Sequence, residues 1–409
     1  MLESAYRAQC AAVEDHCTDE AQQRRRGLTL FALAFGSFCI GTSEFASMGI
    51  LQLLSTGLGV DIPAATYAIT AYAFGVVVGA PLVTLMAARL NRRTLLLCLM
   101  ALFVLGNVLS AVAPNLHLLA LARFLSGLPQ GAYFGAGAMV ASYIVGPGQS
   151  GKAFAQVMGG LTIATIVGSP LATFLGQAIG WRRTYAVVAC VGILAFLALW
   201  AWVPVSQALR GRPVMQELAA LRRPAVWGTM LVAALGVASI FAVYTFIGPI
   251  VTDQAALDRG WIPLALALFG LGMTAGNFIG GRLADAYPAR GLVAGFGSAL
   301  AVLAVLGIGG GHVLVLMPAL FGVGATMMTA IPTIQVRLTR LAPEAPTLMG
   351  AVNLAALNVA NAIGAWAGGQ MIAAGYGLLS SAWAGFGLTA LGLAAFALTS
   401  AKAPQLARA

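Results

Sequence analysis

Twelve runs of mostly apolar residues, each about twenty long, follow one another along this chain, and a run of that length matches the hydrocarbon core of a bilayer. They fall at roughly 28–51, 64–87, 94–113, 118–143, 153–176, 184–203, 225–250, 261–281, 292–310, 313–335, 347–373 and 378–400, and are numbered here spans 1 to 12. Short segments rich in Arg, Pro and Gly separate them. Only helices and closed barrels satisfy their backbone in lipid. The runs are continuous rather than ten-residue alternations, which excludes an outer-membrane barrel. Charge agrees: 8% of the 409 residues are charged, against about 25% in a soluble domain. A soluble enzyme, a disulfide scaffold, a coiled coil and a disordered chain are excluded. The expected fold is an all-α membrane protein of twelve transmembrane helices.

The basic residues alternate with the spans. Four arginines precede span 1; Arg89, Arg92, Arg93, Lys152, Arg210, Arg212, Arg222, Arg223, Arg282, Arg290, Arg337, Arg340, Lys402 and Arg408 follow on the same side, eighteen in all. The other side has Arg182, Arg183 and Arg259, and Arg123 lies within span 4. The positive-inside rule puts both termini in the cytoplasm of a bacterial inner membrane. The net charge of +10 therefore reflects topology, and no nucleic-acid partner is expected. Residues 1–27 read as a disordered cytoplasmic tail, not a signal peptide, because no cleavage site follows the long apolar run. A second tail is expected at 401–409. Cys10 and Cys17 offer too few ligands for a metal site, and the other three cysteines sit in apolar runs.

The longest internal loop, 204–224, divides the chain into six-helix bundles at 28–203 and 225–400. The halves echo each other: Ala87 to Arg93 matches Ala284 to Arg290, and His117 and His312 hold equivalent places. Two pseudo-symmetric repeats with a site between them is a transporter architecture.

Specific segments resemble the major facilitator superfamily. Gly281-Arg-Leu-Ala-Asp285 through Arg290 is similar to its loop signature, G-x-L-a-D-r-x-G-r-k. The first-half copy keeps Arg89, Arg92 and Arg93 but has Ala88 in place of the aspartate. Leu121-Ala-Arg123-Phe-Leu-Ser-Gly127 resembles the span 4 signature with its intramembrane arginine. Gly160, Gly168 and Pro170 resemble the antiporter signature of span 5, and Gly180-Trp-Arg-Arg-Thr-Tyr185 the turn into span 6. Gly41-Thr-Ser-Glu44-Phe45, Phe241 to Phe246, and Glu344-Ala-Pro with the span 11 asparagines look like arabinose-efflux-type permeases, members of the twelve-span drug–proton antiporter family. Such relatives often carry a span 4 histidine where this chain reads Pro129-Gln130. The resemblance implies that Arg89, Arg92, Arg93, Gly160, Gly168, Pro170, Gly281, Asp285 and Arg290 serve gating.

Glu44 is the single acid well inside a span, and an intramembrane carboxylate is functional or paired. Counted along helices at about 1.5 Å per residue, Glu44 lies about 24 Å from the start of span 1, while Arg123 lies about 8 Å into the descending span 4. The depths agree, so an ion pair is expected if these spans are neighbours, as the family fold implies. Glu44 would bind a proton or a cationic substrate, and Arg123 would favour proton release; the competing reading is a fixed structural pair. Ser37, Gly41, Glu44 and Met48 share one helical face, as do Arg123, Gly127, Gln130 and Phe134. The expected substrate cavity adds Thr162, Thr165, Ser169, Phe241, Tyr244, Thr245, Met273, Asn277, Asn353, Asn358 and Asn361. For each, helix-to-helix bonding is the alternative. Gly127, Gly131 and Gly135, and Gly272, Gly276 and Gly280, form stripes for close packing. Pro81, Pro170, Pro249, Pro318 and Pro332 are expected to kink their spans.

No G-x-x-x-x-G-K-[ST] loop occurs, so ATP hydrolysis is not expected. Nor is any cofactor or metal. The leading expectation is a secondary transporter that exports a small solute (sugar, nucleoside or drug) in exchange for protons by alternating access. The alternatives are a proton-independent uniporter or an importer of a small metabolite, and more remotely a non-transporting receptor or scaffold. A membrane-embedded enzyme would need a His, Asp, Cys or Ser–Lys constellation that the spans lack. A monomer is expected, since one chain holds both repeats.

Overall fold

The computed structural model describes the backbone of residues 2–87, 89–146, 150–209, 220–286 and 288–401, with side chains except at 2–22, 84–85, 150–154, 285–286, 288–289, 346–347 and 400–401. Among these residues there is no strand, and eleven helices are long and apolar enough to cross a membrane. The remaining expected span, span 4, runs as Leu116–Gly127 and Pro129–Val145, with Leu128 between them in right-handed helical conformation and its N–H bonded to Phe124 O at 3.2 Å. The Pro129 ring supplies no N–H, so the span continues past one missing backbone bond.

Spans 2, 3 and 6 centre on helices Tyr67–Met86, Arg92–Val112 and Trp181–Trp202. Span 5 joins Ser150–Ile163 and Ser169–Ile179 through a π-helical turn at Ala164–Gly168. Span 7 is divided into Pro224–Gly236, Ala238–Tyr244 and Ile247–Pro249, with a second π turn at Ile250–Gln254. Pro170 and Pro249 thus border irregular turns, whereas Pro81, Pro318 and Pro332 sit inside unbroken helices. Spans 8 to 12 are Trp261–Ala286, Pro288–Gly309, Val313–Leu341, Pro346–Ala373 and Ser380–Ala401. Span 1 belongs to helix Leu2–Gly49. The tail expected to be irregular therefore continues this helix; no glycine or proline interrupts 2–26. Short side chains cap the starts: Asn91 accepts from Arg93 N at 3.0 Å, and Asn115 from Leu118 N at 2.9 Å. The second tail and most of the central loop lie outside the described residues.

Lipid gives helices no hydrophobic reason to associate, so close backbone approach does the work. On span 8 a Cβ at Gly272, Gly276 or Gly280 would strike the carbonyl oxygen of Phe321, Ala325 or Thr329 of span 10. Gly127 meets Tyr72 and Gly131 meets Ala80, but Gly135 faces open space, so the first stripe is shorter than the sequence suggests. Across the halves, span 11 packs on span 2 and span 8 on span 5.

Two apolar cores result. One is built from first-half residues, with Leu354 of span 11 packed against it. The other fills the second half and takes in Phe45 to Leu54 and Ile69 of the first. The halves are therefore sealed together at the face opposite the N-terminus. There Gln52 Nε2 donates to Thr252 Oγ1 at 2.8 Å and approaches Asp253 Oδ2 at 3.5 Å, and Gln177 Nε2 donates to Arg259 O at 2.9 Å.

Gly276→Val should lower stability by about 1–3 kcal/mol through overpacking against span 10, while Gly135→Ala should leave it unchanged. Thermal unfolding in detergent checks both; equal melting temperatures would remove the stripe from the packing account.

Candidate functional site

Glu44 lies one turn before the end of helix Leu2–Gly49 and is 6% exposed. Its Oε2 accepts from Gln130 Nε2 of span 4 at 2.9 Å, and its Oε1 from Asn361 Nδ2 of span 11 at 3.4 Å. Tyr72 of span 2 donates to Gln130 Oε1 at 2.7 Å. The carboxylate is thus held by neutral amides, one from each half of the molecule.

The expected ion pair with Arg123 is not formed. Arg123 is 0% exposed and has other partners. Its Nη2 donates to Ser43 O at 2.8 Å, and its Nη1 to Ser43 Oγ at 2.9 Å and Asn107 Oδ1 at 3.4 Å. Its guanidinium is stacked between two rings, 4.5 Å from Tyr72 and 5.2 Å from Tyr185. Ser43 Oγ donates in turn to Asn107, and Ser47 meets the Tyr185 hydroxyl at 2.9 Å. Helix geometry explains the correction. Successive residues turn by about 100°, so Ser43 presents itself to Arg123 while Glu44 looks on toward Gln130 and span 11. Depth matched; azimuth did not.

The match to the Major Facilitator Superfamily runs over residues 33–365, most of the chain and both sets of ligands around Glu44. This chain belongs to the major facilitator superfamily. It is 41% identical over 359 residues to the inner membrane transport protein YdhP of Escherichia coli strain K12, covering 85% of this chain and 90% of that one. It is 33% identical to the chloramphenicol resistance protein of Streptomyces lividans, covering 87% and 92%. The fold matches the crystal structure of a bacterial homolog of the human lysosomal transporter Spinster, inward-facing and unoccupied, with a TM-score of 0.76, 14% identity and coverage of 93% and 98%. The chain is accordingly a membrane-embedded transporter of a small molecule, not an enzyme.

In this superfamily member the other expected cavity residues divide into groups. Ser169 and Tyr244 meet hydroxyl to hydroxyl across the halves at 2.8 Å. Tyr244 also packs edge-on against Phe45 and Phe269, centroids 5.4 and 4.9 Å away. Phe241, Thr245, Met48, Phe134 and Met273 are buried nearby or in the cores, and the Thr245 hydroxyl has no partner. Asn353 donates to Gln335 Oε1 and Asn358 to Leu354 O; with Asn361, each keeps a buried Oδ1 unpartnered. Ser37, Thr162 and Thr165 bond their own helices, at Leu33, Met158 and Thr162. Asn277 is exposed.

Of the signature residues, a Cβ on Gly160 would strike Ala34 O, and one on Gly168 the Thr42 hydroxyl, so both hold span 5 against span 1. Pro170 follows the π turn. Gly281 meets nothing, Arg89 and Arg290 are exposed, and Arg93 donates to Trp200 O at 2.5 Å. Ala88 and the side chain of Asp285 lie outside the described residues. Sequence reasoning missed Ser43, Tyr72, Asn107 and Tyr185. Asn107 carried a signal, an amide inside an apolar run; the tyrosines carried none.

Tyr72→Phe keeps the ring beside Arg123 but leaves Gln130 Oε1 without its donor. It should cost about 1–3 kcal/mol, read as a lower melting temperature in detergent. An unchanged value would take Tyr72 out of the network that positions Gln130.

Proposed function

We propose that this transporter exports a small amphipathic solute from bacteria in exchange for protons, with Glu44 as the proton carrier. One observation carries the reading: Glu44 is a buried carboxylate whose two oxygens are held by neutral amides from opposite halves. With no cation bonded to it, the group gains or loses a proton without breaking a salt bridge. Protonation turns an acceptor oxygen into a donor. The amide N–H of Asn361 then loses its acceptor, and the tie between the halves weakens. Arg123, fixed by Ser43 and Asn107, supplies a stationary positive charge beside this exchange.

The six-helix units 28–203 and 225–400 are proposed as the bodies that rock, in a protein that works as a monomer. The Gln52–Thr252 and Gln177–Arg259 contacts form the closed gate. The basic loops support placing both termini in the cytoplasm and the gate at the outer face. The unpartnered oxygens at Asn353, Asn358, Asn361 and Thr245, together with the aromatic side chains of Tyr244 and Phe241, support a ligand with both hydrogen-bond donors and apolar surface. Sugars, nucleosides and chloramphenicol-like drugs have this chemistry.

The test uses proteoliposomes holding a pH dye under an imposed proton gradient. Pentoses, nucleosides, chloramphenicol and cationic dyes are added singly. A solute of the export class should dissipate the gradient with the natural protein. Glu44→Gln should abolish that proton movement and retain solute exchange. Proton-coupled flux unchanged in Glu44→Gln would sink the carrier role, and solute flux without proton movement in the natural protein would favour uniport.

A second outcome concerns the gate. Cysteines at Gln52 and Thr252, bridged by a short bifunctional reagent, should stop transport, and reduction of the bridge should restore it.

A further inference from the structure

We propose that the N-terminal-side face of the first half binds the phosphate of an anionic phospholipid headgroup, with Arg92 as its central ligand. Arg92 is the first residue of helix Arg92–Val112 and is 7% exposed. Among the described residues it has no hydrogen bond and no ion pair, and its Nε is buried without a partner. The Nε of Arg93 is likewise buried and unpartnered. Arg89 stands exposed three residues earlier. A buried guanidinium N–H with no acceptor is unfavourable, so an anion from outside the chain, reached through the outer nitrogens, completes this site.

The second half is built differently at the equivalent place. In the match of the two loops Ala289 stands where the first half has Arg92, and Asp285 where it has Ala88. Glu344, an acid at the same face, is taken by Arg223 at 2.7 Å. The first half thus keeps the arginines of the loop without its carboxylate.

Depth identifies the anion. Arg93 donates to Trp200 O, Asn91 Nδ2 to Ser206 O at 2.8 Å, and Tyr143 meets Ser206 Oγ at 3.3 Å. Trp200, Trp202 and Tyr143 are all exposed large aromatics. Exposed Trp and Tyr at the ends of spans mark the headgroup level of a bilayer. The three arginines therefore stand where lipid phosphates lie, at a helix N-terminus that adds partial positive charge. Basic pockets between spans take lipid phosphates in this way.

The test titrates phosphatidylglycerol into the full-length protein purified in lipid-free detergent and follows its melting temperature; phosphatidylcholine and inorganic phosphate serve as separate arms. Phosphatidylglycerol should stabilise the natural protein more than either. Arg92→Gln should need about tenfold more of it for the same shift. Without lipid, Arg92→Gln should be at least as stable as the natural protein, because it removes an uncompensated charge. Arg92→Lys keeps the charge but not the planar fork, and should fall between. Arg89→Gln, at an exposed position that does not threaten folding, should also weaken the response. An equal phosphatidylglycerol response in the natural protein, Arg92→Gln and Arg89→Gln overturns the proposal. So does destabilisation by Arg92→Gln that is the same with and without lipid, since a carboxylate of the chain would then be its partner. Inorganic phosphate as effective as phosphatidylglycerol overturns it in favour of a free-anion site.

Discussion

The centre of this transporter depends on how two opposite charges are kept apart inside a membrane. A carboxylate and a guanidinium a few residues from each other in space would ordinarily collapse into a salt bridge in a low-dielectric interior. Here Ser43, Asn107 and the rings of Tyr72 and Tyr185 hold Arg123, whose Nε alone stays without a partner. Gln130 and Asn361 hold Glu44. Each charge is held by neutral dipoles, and Tyr72 touches both networks, one through its ring and one through its hydroxyl. The arrangement is expensive in ordered polar groups, and it leaves the acid without a bonded cation.

The packing of the spans follows from the same solvent. Lipid cannot drive helices together as water does, so glycine faces bring backbones into contact at spans 8 and 10 and at spans 2 and 4. Close contact of this kind makes each half stiff. The polar contacts between the halves, among them Ser169 with Tyr244, Asn361 with Glu44, Gln52 with Thr252 and Gln177 with Arg259, each involve a neutral partner and are individually weak.

Much of this was legible in the chain. The all-helical membrane architecture and the length of its spans follow from hydropathy and charge, which the bilayer reads in one dimension. What was not legible is rotational. Depth along an axis placed Glu44 and Arg123 level with each other, but the partner of each is fixed by the azimuth of neighbouring helices, and that emerges only from packing.

The proline that follows Leu128 has a mechanical consequence. Leu128 keeps right-handed helical dihedrals, so Arg123 and Gln130, seven residues apart, stand on one continuous span. Pro129 offers no N–H, which leaves one backbone bond out of the stretch between them. The part bearing Arg123 is anchored to spans 1 and 3, and the part bearing Gln130 faces the carboxylate that touches span 11. The fold thereby sets a foundation, which fixes the local electric field, and a bearing surface, which meets the other half, on one rod with a single softened joint.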